Sequence, residues 1–267
     1  MDEAEMVMIP DLSGCLAELR RKELIPADHQ AVFLVGSVAR GWTHAKSDLD
    51  IYIVSDGEHD VTGSRTVGVP LVPGTIRTLA FDGDDRRFEV TYWLDAQVDQ
   101  MLAKVSQEVL DSNKSSLQPL VITEERFLER LSTCLPLLGD DWVQRRRKEI
   151  EDSAYSAFTA ARSLAYADTK VEDAIGMLAS GDLPSAVLAA RLGLGQTVDA
   201  LLDSRGVYGT SVPKWRARRV QDAALDVLSF ARYWQLETMA TFDPERPREW
   251  IEEVIAFCRD LSMEVEL

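Results

Sequence analysis

The sequence predicts an N-terminal α/β region followed by an all-α helical bundle, and three observations predict it. Short apolar, β-branched runs bounded by Gly, Pro and Asp are confined to the stretch before residue 95. From about Thr123 onward, apolar residues recur at helical spacing over long segments. Between the two lies a Ser- and Asn-rich segment, Asp111 to Ser116, with the composition of a linker. The expected division is therefore residues 1–112 and 118–267, with no internal repeat and no low-complexity tract.

The elements follow in order. Residues Pro10 to Leu24 carry Leu12, Cys15, Leu16 and Leu19 on one face, which predicts an amphipathic helix. AVFLVG, Ala31 to Gly36, is a short apolar run ending in glycine and reads as a buried strand. LDIYIV, Leu49 to Val54, is a second. Gly57 to Pro73 is rich in Gly, Pro and Asp and should hold loops and an edge strand. Thr75 to Phe81 predicts another strand, closed by the turn DGDD, and Arg86 to Leu94 a further one, with Asp95 as N-cap of the helix after it. The helical patterns then run Glu124 to Leu135, Asp141 to Ala167, Asp182 to Ser204, Trp215 to Thr241 and Arg246 to Leu267. Pro184 falls in a first turn, where its missing N–H costs nothing, and Gly206 closes the same helix.

Composition narrows the function. The 267 residues are 46% hydrophobic and 28% charged, values that predict a packed core. A formal net charge of -16 opposes non-specific binding to a nucleic acid backbone, which depends on clustered Lys and Arg. The same charge favours a small, cationic acceptor by long-range attraction. Cys15, Cys134 and Cys258 are far apart, with no Cys-x-x-Cys pair, and read as reduced core residues. The start, MDEAEMVMIPD, has neither the basic nor the apolar region of a signal peptide, and no apolar run approaches a membrane span. The expectation is a cytoplasmic protein that inserts in no membrane.

The chemistry is concentrated in LVGSVARGWTHAKSDLDIYIV, Leu34 to Val54. An apolar strand leads into Gly36-Ser37, ten residues follow, and Asp48-Leu49-Asp50 opens the next strand. Residues i and i+2 of a strand share a face, so Asp48 and Asp50 should project together. Two carboxylates so close are costly unless a cation sits between them, and hard divalent cations prefer carboxylate and phosphate oxygens. Gly36 lets backbone approach a phosphate without a Cβ in the way. The following helix start, the Ser37 hydroxyl and the Arg40 charge could then hold the phosphate oxygens. Alone, Gly-Ser is an ordinary turn and Asp-x-Asp a solvated strand end; the order of the two between apolar strands makes the nucleotide seat the better reading.

This arrangement resembles the polymerase-β-like nucleotidyltransferase superfamily over residues 30 to 95, and most of all its small-molecule branch, which includes aminoglycoside nucleotidyltransferases with a helical C-terminal domain. The resemblance implies a mixed twisted sheet with flanking helices, ATP and two Mg²⁺ ions, and in-line attack on the α-phosphate with pyrophosphate leaving. It counts Ser47 with the nucleotide seat and requires a third carboxylate on a later strand. Glu89 in Arg-Phe-Glu-Val-Thr-Tyr matches best, as metal ligand, base, or both. Asp82, Asp84 and Asp85 are rivals that read first as a solvated turn. The implied reaction moves AMP from ATP to a hydroxyl of a small acceptor, a cationic antibiotic or a metabolite. Two other readings stay open: a protein or tRNA acceptor, as in toxin–antitoxin relatives, and a regulatory module that binds nucleotide without turnover. A homodimer also stays open.

The helical region offers VPKWRARR, Val212 to Arg219, in which Lys214 and Arg216 or Arg218 could reach the β- and γ-phosphates, as similar enzymes do from this domain. The competing reading is a basic helix face paired with neighbouring acids, with Trp215 in the core. QRRRK, Gln144 to Lys148, reads as solvated i,i+4 pairs with Glu149 and Glu151. His44 lies beside the expected nucleotide seat, while His29 and His59 read as surface residues. Ser-His-Asp order, a P-loop lysine and Gly-x-Gly-x-x-Gly are all missing, which lowers hydrolase, P-loop and Rossmann alternatives.

Overall fold

Where the sequence places its apolar β-branched runs, a computed structural model builds one mixed sheet; it describes residues 12–43, 47–83, 86–112 and 119–267. His44, Asp84, Asp85, the acidic start and most of the expected linker lie outside the described residues. The chain runs α1 (Leu12–Arg21), β1 (His29–Val35), α2 (Gly36–Ala39), β2 (Leu49–Ser55), β3 (Arg65–Gly68), β4 (Thr75–Asp82), β5 (Arg87–Leu94), α3 (Asp95–Lys104), α4 (Gln107–Ser112), α5 (Ile122–Ser132), β6 (Leu135–Leu138), α6 (Asp140–Glu151), α7 (Tyr155–Ser180), α8 (Leu183–Ser204), α9 (Arg216–Ala223), α10 (Phe230–Glu237) and α11 (Pro247–Ser262). A single turn of 3₁₀ helix, Pro213–Trp215, precedes α9.

The strand order is β3-β4-β5-β2-β1-β6, with β2 and β5 parallel and every other pair antiparallel. β1 and β2 are central and nearly all buried, which is why they read as continuous apolar runs rather than alternating ones. Alternation still sorts the two faces. Val32, Leu34, Ile51, Ile53, Val90 and Tyr92 pack against Cys15, Leu19 and Leu24, on and just after α1. Residues of the other parity meet α5 and α6: Phe33 stacks on Trp142, and Tyr52 and Trp93 pack on Phe127. By contacts the described chain forms two units, one holding the sheet with α1–α3, α5 and α6, the other holding α4 and α7–α11. The second unit has its own core, in which Leu194, Val198, Leu201 and Leu202 of α8 pack with Trp250, Ile251 and Val254 of α11. No helix among the described residues is long and apolar enough to cross a membrane.

Four sequence expectations need correction. The expected helix Glu124 to Leu135 ends at Ser132, and Leu135–Leu138 becomes the edge strand β6, whose Pro136 has no N–H to offer the ladder. The expected helix Asp141 to Ala167 breaks at residues 152–154, where the Ser153 hydroxyl donates to the Ile150 carbonyl. The expected helix Trp215 to Thr241 breaks at Ala224, in left-handed conformation, and restarts behind the N-cap Ser229. Asp95 is the first residue of α3 rather than its cap. Gln97 accepts the Leu94 N–H, while the Asp95 carboxylate accepts from Trp142 and Arg146. Elsewhere the caps follow the sequence. Asp182 accepts the Ser185 N–H at the start of α8, and all three cysteines are free and buried.

Candidate active site

The parallel pairing of β2 and β5 sets Asp50 directly beside Glu89. Both have the parity of Tyr52 and Trp93, so their side chains stand on the sheet face that α5 covers. Asp48 precedes β2 and is exposed. Burial pushes the Asp50 carboxyl up from its ordinary value; Arg130 opposes this, and the charges of Glu89 and Asp48 add to it. Asp50 is thus the half-buried carboxylate beside two exposed ones, Asp48 and Glu89, held in an environment that resists its ionisation.

Gly36 forms the wall beneath it. Its φ of +74° is left-handed, and a Cβ built there would lie 2.5 Å from Asp50 Oδ2. Glycine is required on both counts, because only its bare Cα lets the β1–α2 turn pass under the carboxylate. The helix it opens is one turn long, Gly36–Ala39, so its dipole contributes little. Ser37 is the second residue of this turn, and its carbonyl accepts the Trp42 N–H at 2.8 Å. Ser47 is buried immediately before Asp48. The Arg40 guanidinium lies 3.9 Å from Glu129 and 4.9 Å from the centre of the Trp42 ring, so it is engaged with protein groups.

Two arginines absent from the sequence reading stand at this site. Arg130 of α5 places Nη1 3.7 Å from Asp50 Oδ1 and donates to the Tyr52 hydroxyl at 3.1 Å. Arg126, one turn earlier, is near enough for its charge to act on Asp50, and its buried Nε has no hydrogen-bond partner among the described residues. Their i,i+4 spacing was visible. The signal that they matter was which face of α5 packs, set by Phe127, Leu128 and Leu131.

The remaining expected site residues fall in the second unit. Lys214 and Arg218 are exposed, and the Lys214 ammonium lies 5.3 Å from the centre of the half-buried Trp215 ring. Arg216 is taken up by Asp199 at 2.7 Å, and the buried Arg219 donates to Asp199 at 2.6 Å and Asp203 at 2.8 Å. For those two residues the paired-face reading holds. QRRRK departs from the expectation of solvated pairs with Glu149 and Glu151: Arg146 is buried against Asp95, Asp99 and Glu149, and the exposed i,i+4 ion pair of Lys148 is with Asp152.

Hard oxygen donors gathered around a carboxyl that resists ionisation fit a divalent cation, which would relieve the repulsion. The carboxylates are not closed on a common point. Glu89 lies 3.6 Å from Arg87 Nε, and among the described residues no group of three or more His, Cys, Asp or Glu stands ready to hold a metal. A pocket of about 270 Å³ lined by Ser55, Asp60, Arg77, Tyr92 and Gln97 opens at the other end of β2 and β5. Its lining begins at Tyr92, level with Ile53 and about 10 Å along the strand from Asp50 at the usual rise per residue, so it is separate from the carboxylates.

A family model for the nucleotidyltransferase domain matches residues 12–148, ending within α6. No curated protein matches the chain. Among solved structures, the chain is similar to a nucleotidyltransferase-like protein from Exiguobacterium sibiricum 255-15, with a TM-score of 0.47 and 11% identity over 94% of this chain and 74% of that one.

Proposed function

The chain belongs to the nucleotidyltransferase domain family, and from that premise we propose that it transfers AMP from ATP to a hydroxyl of a small, cationic acceptor. The acceptor oxygen attacks the α-phosphorus, the bond from that phosphorus to the bridging oxygen breaks, and pyrophosphate leaves. In this reading Glu89, half exposed at the mouth of the group, takes the proton of the attacking hydroxyl. Gly36 and Ser37 give the triphosphate a close backbone approach, with Ser47 and Arg40 bordering the same seat. Asp48, Asp50 and Glu89 would hold Mg²⁺, two ions in all, which supplies neutralisation of the charge developing on the phosphate oxygens. The net charge of -16 supports a cationic acceptor, such as an aminoglycoside-type antibiotic, over nucleic acid.

One observation carries the proposal: Asp50 and Glu89 are register partners on adjacent parallel strands, with glycine required beneath Asp50. The test is pyrophosphate release from ATP and Mg²⁺ over a panel of hydroxylated amines, with mass spectrometry of the acceptor. Release with the acceptor adenylylated, abolished in Asp50→Asn, supports it. An Asp50→Asn protein as active as the wild type overturns it, and label moving from ATP to a protein or RNA band replaces the acceptor class.

A further inference from the structure

We infer that Arg130, with Arg126 one turn before it, is the resident counter-cation of the carboxylate group. It balances Asp50 while no divalent cation is bound and holds a nucleotide phosphate once one is. The inference rests on the nucleotidyltransferase reading of Asp50. Its first support is the way Arg130 is anchored. The guanidinium donates to the Tyr52 hydroxyl at 3.1 Å and lies 5.5 Å from the centre of that ring. Its approach to Asp50, 3.7 Å, is ion-pair distance and too long for a hydrogen bond. Charge is therefore supplied to Asp50 while the carboxylate oxygens keep their lone pairs.

The second support is Arg126: its buried Nε has no hydrogen-bond partner among the described residues, and unlike Arg146 and Arg216, whose Nε atoms are also unmet, it pairs with no described carboxylate at ion-pair distance. A buried donor left unmade is costly, and native structures rarely tolerate one without a ligand or water to accept it. A phosphate oxygen is the acceptor that matches a guanidinium in charge and planar geometry. The third is placement. α5 is fixed on the carboxylate-bearing face by Phe127, stacked on Tyr52 at 5.6 Å and tilted on Trp93 at 4.8 Å. Positions 126 and 130 therefore emerge together beside Asp50. In a chain of net charge -16, two guanidinium groups near enough for their charge to act on Asp50 are the local attraction a triphosphate needs.

The experiment measures two affinities on purified protein without turnover: Mn²⁺ alone, by electron paramagnetic resonance, and a non-hydrolysable ATP analogue at fixed Mn²⁺, by calorimetry. Arg130→Met should bind Mn²⁺ alone several-fold more tightly, because a competing positive charge is gone. It should bind the analogue roughly tenfold more weakly, the size of one lost charge-assisted hydrogen bond. Arg130→Lys should restore the wild-type Mn²⁺ affinity and only part of the analogue affinity, and Arg126→Met should weaken the analogue. A merely structural Arg130 would move both affinities the same way or neither, and either result overturns the inference. If Arg130→Met does not fold, Arg130→Lys and Arg126→Met decide it by the same readings. A wild-type protein that binds neither Mn²⁺ nor the analogue removes the functional reading itself, and the inference with it.

Discussion

Replacing Gly36 by alanine tests the site where backbone geometry and chemistry meet. Two costs add. Alanine at φ +74° is left-handed, which costs roughly 1–2 kcal/mol for a residue with a Cβ. The new methyl would also stand 2.5 Å from Asp50 Oδ2, whereas ordinary contact begins near 3.4 Å, so the carboxylate must retreat by about 0.9 Å. A displacement of about 1 Å in a catalytic group can cost roughly 100-fold in rate. Gly36→Ala should therefore lower Tm by about 3–6 °C and cut pyrophosphate release by about two orders of magnitude. Thermal denaturation followed by circular dichroism and pyrophosphate release on the same preparation give both quantities. Wild-type turnover in a variant that melts lower would show that only the dihedral matters and that Asp50 is free to shift. Unchanged melting would refute the geometry altogether.

Asp50→Asn should abolish transfer and raise Tm at neutral pH. Burial pushes the Asp50 carboxyl up, so ionised Asp50 costs the folded state. That cost is complete above the raised folded-state value and vanishes below the ordinary carboxylate value, so the two melting curves should converge as pH falls; a gap that widens toward acid would contradict it. Arg219→Met removes the shared partner of the buried Asp199 and Asp203 and should cost about 3–5 kcal/mol, measured by denaturant unfolding. Arg246→Met, from an exposed pair with Asp243, should leave the denaturation midpoint essentially unchanged, because solvent screens that pair.

What the sequence made legible was local. β1, β2 and the Gly36-Ser37 to Asp50 spacing lie within one short stretch, and their apolar flanks announce two central strands. Glu89 was legible as an acid on a β-rich run. Its register opposite Asp50 was not, because β3 and β4 intervene and parallel pairing leaves no sequence trace. β6 was hidden for a different reason: four residues with a proline carry too little pattern to outweigh the helix before them. Arg126 and Arg130 were visible only as charges among Glu124, Glu125 and Glu129, since tertiary packing decides which face of α5 meets the sheet. VPKWRARR holds residues of two kinds, exposed Lys214 and Arg218 and ion-paired Arg216 and Arg219. It advertised positive charge, and the fold spends Arg216 and Arg219 on buried acids of α8.

That contrast explains why charge alone did not reveal the site. In the helical unit, Asp199 and Asp203 meet Arg216 and Arg219 at 2.6–2.8 Å, hydrogen-bonded ion pairs that occupy the carboxylate oxygens a ligand would need. Around Asp50 the same residue types stand farther off: Arg130 at 3.7 Å, Arg87 at 3.6 Å from Glu89, and an Arg126 nitrogen with nothing to donate to among the described residues. A tight network lowers its own energy and has little left for a guest. The difference is distance rather than reluctance to ionise, since the tight network also holds a carboxyl that burial pushes up to about 7, Asp203, and a donor unmet among the described residues, the Arg216 Nε. Around Asp50 the carboxylate oxygens and the Arg130 guanidinium stand apart, with room for one visitor carrying divalent cations and phosphate oxygens together. On this argument, tightening the site should stabilise the fold and weaken nucleotide binding at once, which is the opposite signs expected of Asp50→Asn.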